Sequence, residues 1–86
     1  MADTRSSMLV KIYAPFKIYF QAPANSVSAV NATGTFDILP GHKNFISLLK
    51  ACRITVRRQA GTDFALDIDR GVMHVRKDQV TVFLDV

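Results

Sequence analysis

Eighty-six residues, 49% of them hydrophobic, are enough for one domain with a core and leave no room for a second. A chain this short buries only about 60–65% of the surface its unfolded form exposes, so its stability margin is thin. There is no apolar run near the ~20 residues of a helical membrane span, no basic-then-apolar leader, and only one cysteine, Cys52. Together with a net charge of +4, these features exclude a disulfide framework and predict a soluble cytoplasmic domain.

The first seven residues, MADTRSS, are polar and predict a disordered tail at 1–7, with the domain proper at 8–86. Period-two alternation then recurs to the end. LVKIY sets Val10 and Ile12 against Lys11, and KIYF reads as a short second strand. NSVSAVNA sets Val27 and Ala29 against Ser28. ITVRRQ turns Ile54 and Val56 inward; FALDID does the same with Phe64, Leu66 and Ile68, leaving Asp67 and Asp69 outside. GVMHV and QVTVFLDV complete the series, with Val80, Val82 and Leu84 on one face. Turn signals separate the runs at 14–15, 22–25, 40–41, 60–61, 70–71 and 77–78. Only KNFISLLKACR reads as helical, for one or two turns, because Phe45, Leu48, Leu49 and Cys52 fit a helix stripe. The pattern predicts an all-β fold: an antiparallel β-sandwich of about 8–10 short strands in two sheets, or a small barrel, with no long helix.

No catalytic constellation emerges. His42 follows a Pro-Gly turn and His74 sits mid-strand, far apart in sequence and without the close-set partners of a zinc site. His42 reads as a turn residue bonded to nearby backbone and His74 as a surface strand residue. Cys52 has no nucleophile elbow around it, and Asp67 and Asp69 read as an acidic strand face. ATGTFD lacks the glycines and the Lys-Ser/Thr ending of a phosphate loop. The residues point to no catalysis, no cofactor and no metal. The basic group CRITVRR reads as a solvated strand face. Its rival is a small OB-like nucleic-acid binder using Arg53, Arg57 and Arg58 with Tyr13, Tyr19 or Phe20 as stacking platforms, although basic and aromatic residues do not interleave on one strand.

GTFDILPGHKNF concentrates Gly34, Pro40, Gly41 and His42 into nine positions of a chain with four glycines and three prolines. Pro40 suits position i+1 of a turn and Gly41 the next position, where φ is positive, so the chain reverses there. With VSAVNATGTFDILPGHKNFISLLKACRITV before it and DRGVMHVRKDQVTVFLDV after it, this block resembles the N-terminal β-sandwich domain of the F-type ATP synthase ε subunit, over residues 8–86. The chain departs from the family pattern at Val30-Asn31, Asp37, Ala51-Cys52 and Arg70, where the family carries glycine or Pro-Gly. Each such loss removes an easy route to positive φ.

The resemblance implies a non-catalytic rotor subunit of the central stalk. It would hold the γ subunit on the ring of c subunits and couple ion-driven rotation to ATP synthesis, as part of a peripheral complex on the cytoplasmic face of the inner membrane. The implied γ contacts are Ala14, Pro40, Gly41, His42 and Phe83; the implied c-ring contacts are Thr33, Gly34, Thr35, Phe36 and Asp37. It implies no nucleic acid and no direct membrane insertion. Family members commonly continue past the VFLDV position into a two-helix hairpin, and without that hairpin no ATP binding is implied. For Phe83, opposite in phase to Val82 and Leu84, two readings stand: a second buried side of the strand, or an apolar patch for γ. The rival within the same fold is a free-standing β-sandwich adaptor with a different protein partner.

Overall fold

A computed structural model describes residues 7–58 and 61–84. The tail expected at 1–7 therefore falls outside the described residues except for Ser7, as does Ala60 of the expected turn at 60–61.

Eight strands form, and no helix, among the described residues: β1 (Met8–Ala14), β2 (Lys17–Asn31), β3 (Gly34–Ile38), β4 (Phe45–Leu49), β5 (Cys52–Arg58), β6 (Phe64–Ile68), β7 (Gly71–Arg76) and β8 (Gln79–Leu84). Their order in the sheet is β1-β8-β7-β4-β2-β5-β6, with β3 on β2 and a further β1–β2 pairing. The expected all-β sandwich is present, its two layers joined into one curled sheet through β2. One layer holds β4, β7, β8, β1 and the first part of β2; the other holds the rest of β2 with β3, β5 and β6.

Two sequence expectations are corrected. The turn at residues 22–25 does not exist: KIYF and NSVSAVN are one fifteen-residue strand. Pro23 is tolerated inside it because it faces Leu9 on one side, while the ladder to β5 begins only at Ala24. A residue without an N–H thus sits where one ladder has yet to start. An irregularity between Ala24 and Ser26 follows, and Ser26 and Val27 are both buried, so the inward phase changes as β2 passes from one layer to the other. The second correction concerns KNFISLLKACR, which contributes two strands and no helical turn. Phe45, Ser47 and Leu49 point inward, whereas Ile46 and Leu48 point outward. The helical stripe was an accident of an apolar strand with both phases filled.

The core is one cluster from both layers. Val10, Ile12, Val27, Ile38, Ile54, Val56, Met73 and Val82 are fully shielded from solvent, and Phe36, Phe45, Phe64 and Leu66 close its margin. Ring pairs brace that margin: Phe20 lies 4.7 Å from Phe64, and Phe36 lies 5.6 Å from Phe45. No buried side-chain polar atom among the described residues lacks a partner.

Candidate functional site

The Pro-Gly-His corner is built as its sequence dictates. The amide of His42 donates to the Leu39 carbonyl at 3.1 Å, and Gly41 has φ +85°, which together make a type II turn with Pro40 at i+1. The corner is then tied to the far hairpin. Lys77 and Asp78 both have positive φ in the β7–β8 turn, and the Asp78 carboxylate accepts the Gly41 amide at 2.7 Å. The Asp78 carbonyl also accepts the amide of Leu9 at 2.9 Å, so one residue gathers β1, the corner and the β7–β8 turn. His42 is a turn residue, as expected: its Nδ1 lies 2.8 Å from the Lys43 carbonyl and its ring meets Phe45 edge-on at 5.4 Å. His74 lies exposed on β7.

The segment 33–37, expected as a loop, is the end of the β2–β3 turn followed by strand β3, and Asn31 holds the turn. Its Oδ1 accepts the Thr33 amide at 2.9 Å and the Thr33 hydroxyl at 2.7 Å, and its Nδ2 donates to Ser47 Oγ at 3.0 Å. Gly34 takes φ +121°, which closes the hairpin into β3. Thr35 and Asp37 point outward, Asp37 accepting from the Ser28 hydroxyl, while Phe36 turns in toward Phe45.

The candidate contact residues do not form one patch. Ala14 is buried at the end of β1, so the surface there is made by Pro15 and the fully exposed Phe16 that follow it. Phe83 stands five residues along β8 from Asp78, which puts it about 17 Å from the His42 corner. The β2–β3 turn lies at the Phe83 end instead: Asn31 pairs with Leu49, Leu49 with Gly71, and Gly71 with Leu84. The structure therefore splits the implied γ set in two and puts the start of the implied c-ring segment at the Phe83 end of the sheet, three strands across from Phe83.

Phe83 resolves to the outer face, 5.2 Å edge-on from Tyr13, so it does not fill a second core. It is the centre of a feature that the sequence did not disclose. Strand register places Ile18 opposite Tyr13, Tyr13 opposite Phe83, Phe83 opposite Val72 and Val72 opposite Leu48. Residues directly opposite share a face, so five outward apolar side chains run in an unbroken row across β2, β1, β8, β7 and β4. Ile18 is 55% and Leu48 74% exposed. The row ends in a shallow groove of about 480 Å³ lined by Leu48, Leu49, Arg70, Gly71, Val72 and Phe83. Only Phe83 and Tyr13 were singled out from the sequence. The available signal for Ile46 and Leu48 was that FISLL is apolar in both phases.

The arginines of β5 have partners within the chain. Arg53 Nε donates to Asp67 Oδ1 at 2.9 Å, and that hydrogen bond and charge raise the Arg53 pKa above its ordinary value. Arg57 reaches Ser26 Oγ at 3.4 Å. Arg58 lies 6.0 Å from the centroid of Phe20, which is itself buried, so of the three stacking platforms named for the nucleic-acid reading Phe20 is not on the surface. Among the described residues no three His, Cys, Asp or Glu side chains gather in a way that could hold a metal ion, and no helix is long and apolar enough to cross a membrane.

The sequence profile of the ATP synthase delta/epsilon chain β-sandwich domain matches residues 7–86. The chain belongs to that family. Its curated relatives include ATP synthase ε chains of Geobacter metallireducens and Campylobacter fetus, each 32% identical over 76 residues, which is 88% of this chain and 54% and 59% of theirs. The chain thus spans a little over half the length of these ε chains. Among solved structures, a chain of the Euglena gracilis mitochondrial ATP synthase with its c-ring superposes with a TM-score of 0.84 at 17% identity, over 92% of this chain and 51% of that one. A chain from the central stalk and c-ring of the Tetrahymena thermophila mitochondrial ATP synthase gives 0.73 at 15% identity, over 92% and 63%. These two share the delta/epsilon β-sandwich fold with this chain.

Proposed function

We propose that this chain is a non-catalytic central-stalk subunit of an F-type ATP synthase, a rigid block that holds γ on the c-ring and rotates with both. Family membership across residues 7–86 supports this reading, and the observation that carries it furthest is the arrangement around Phe83. An outward apolar row and the β2–β3 turn lie at the same end of a sheet braced by a single core. A domain that must transmit torque between two partners needs two adjacent docking features and little internal give, and a close-packed β-sandwich supplies the stiffness.

In this reading γ lies against Phe83 and the Pro15–Phe16 tip that follows Ala14. The Pro40-Gly41-His42 corner makes a second γ contact at the far end of β8. Thr33, Gly34, Thr35 and Asp37 meet the polar loops of the c-ring through hydroxyl, backbone and a single carboxylate, with Phe36 anchoring β3 from beneath. The complex is peripheral to the membrane on its cytoplasmic face.

The test is co-expression with the γ and c subunits of the same genome, in a Cys52→Ser background. A stable complex is expected, with Phe83→Cys and His42→Cys cross-linking to γ and Thr35→Cys to c. Thr35→Lys is expected to weaken ring association. A chain that stays monomeric beside both subunits would overturn the reading and leave the free-standing adaptor in its place.

A further inference from the structure

In the second layer two strands have a neighbour on one side only among the described residues, β3 on β2 and β6 on β5. The stalk reading gives β3 to the c-ring and leaves β6 without a task. Every second residue of an edge strand turns its N–H and C=O to the open side, so β6 offers an unfilled ladder about 17 Å long. Its side chains divide by phase: Phe64, Leu66 and Ile68 turn inward, Ala65 and Asp67 outward. Leu66 and Ile68 also line a groove of about 210 Å³ with Tyr19, Asp67, Asp69 and Leu84. The segment is acidic in a chain of net charge +4. Asp63, Asp67 and Asp69 are three of its seven acidic residues, and positions 61–69 hold no lysine or arginine. All three carboxylates are exposed. Arg53, across on β5, binds Asp67 at 2.9 Å, whereas Asp63 and Asp69 have no ion pair among the described residues. The other cations nearby are engaged: Arg57 reaches Ser26, Arg58 lies by the Phe20 ring and Lys17 lies over the Tyr19 ring.

We propose that the open edge of β6 takes up an extended segment of another polypeptide in which basic and apolar side chains alternate. The inference goes beyond the stalk reading, which uses neither β6 nor its groove. An extended segment joins a sheet at its edge through main-chain hydrogen bonds, and its alternate side chains supply the selection. Opposite Asp67 on β5 stands Arg53. Opposite it on the added strand stands a basic residue, its Cβ about 4.5–5.5 Å away, and a carboxylate has lone pairs for both cations. Two positions on, the next basic side chain meets Asp69, which has no cation of its own. The residues between point the other way, over Leu66 and Ile68 toward the groove and its Tyr19 and Leu84 walls. β6 carries no lysine, proline or bulge that would block strand addition. Its carboxylates decide which strand is admitted: they attract a basic one and repel an acidic one. They also repel a second copy of β6, which would set carboxylate against carboxylate.

The test uses the chain as it stands and four synthetic peptides of about nine residues. One alternates lysine and valine and one alternates glutamate and valine. The third reorders the lysine peptide into a lysine block and a valine block, and the fourth is the lysine peptide N-methylated at every amide. Fluorescence anisotropy is expected to show the alternating lysine peptide binding at least about tenfold more tightly than each of the others, with affinity falling as salt rises. Bound peptide is expected to slow amide exchange in β6 about tenfold or more and to leave β3 unchanged. The double variant Asp67→Asn with Asp69→Asn is expected to weaken binding about tenfold while far-ultraviolet circular dichroism stays unchanged. Asp67→Lys with Asp69→Lys is expected to turn the preference to the glutamate peptide. Equal binding of the alternating, block and N-methylated lysine peptides, no binding of any, or indifference to the double asparagine variant overturns the proposal. So does exchange that slows in β3 and not in β6. Capture of γ runs in parallel and separates the two readings. The double asparagine variant is expected to hold γ as the parent does, and loss of γ from it would make β6 part of the γ seat and overturn the proposal. If the lysine peptide binds as expected and the parent captures no γ, this proposal stands and the stalk reading fails.

Discussion

Gly71 opens β7 directly against β8, and replacing it with alanine tests how tightly that ladder is closed. A Cβ at Gly71 would sit 2.8 Å from the Phe83 carbonyl oxygen and 3.2 Å from Leu84 Cδ2. The leucine methyl can swing aside. The carbonyl cannot, because it belongs to the backbone of the strand to which β7 is paired through Val72 and Phe83. Overpacking of this kind costs about 1–3 kcal/mol. Alanine recovers about 0.5–1 kcal/mol by restricting the unfolded chain, leaving a net loss of about 1–2 kcal/mol. At about 4–8 °C per kcal/mol for a domain of this size, Gly71→Ala should melt about 5–15 °C below the parent. Gly41 is the control. Nothing lies within 4 Å of its Cβ position, and its requirement is the φ of +85° alone. Asparagine tolerates that region better than alanine does, so at Gly41 asparagine should be the milder change, while at Gly71 the bulkier asparagine should be the worse one. Thermal melts of the four variants by circular dichroism decide the matter. A Gly71→Ala melt that coincides with the parent, or asparagine outperforming alanine at Gly71, would refute the close approach.

Met73 is fully buried at the centre of β7, and Met73→Ala should lower unfolding free energy by about 2–5 kcal/mol, read as a lower urea midpoint. Asp78→Gly keeps the positive φ of the turn but removes the acceptor for the Gly41 amide. It should cost about 1 kcal/mol and accelerate hydrogen exchange at Gly41 while leaving the β7–β8 ladder protected. Arg53 and Asp67 are 67% and 73% exposed, so Arg53→Gln should leave the melting temperature nearly unchanged. Because the folded-state pKa of Arg53 is raised, whatever the pair contributes is complete at lower pH and lost only as pH climbs through that value. Parent and variant melting temperatures should therefore run parallel from about pH 6 to 9.

The parts of the fold that the sequence made legible are those set by local chemistry. Pro40 and Gly41 specify a type II turn by their own backbone preferences, and the alternation of β7 and β8 admits only one inward face. Where two local rules competed, tertiary structure chose. KNFISLL satisfies a helix stripe and a strand at once, and the deciding fact was that β7 lay ready to pair with it. Pro23 looked like a break because proline usually ends a strand, yet the neighbouring ladder had not begun at that point. The apolar row lay beyond sequence reading for a deeper reason. It exists only through register, including a parallel pairing between β1 and β8, and no local pattern encodes which residues of distant strands stand opposite one another.

That parallel pairing also governs how the molecule comes into being. β8 follows the other seven described strands in the sequence, yet it lies between β1, which precedes them, and β7. While the chain is still being made, β1 has β2 on one side and an open edge on the other, and the Met8, Val10 and Ile12 face lacks the Val80, Val82 and Leu84 that will cover its flank. The sheet cannot close until β8 has left the ribosome, and the closing contact joins residues some seventy positions apart, the kind of pairing that makes β-rich domains slow to fold. A lesion in β8 would therefore stop β1 and β7 from being joined, leaving a sheet with two adhesive edges instead of a slightly weakened domain.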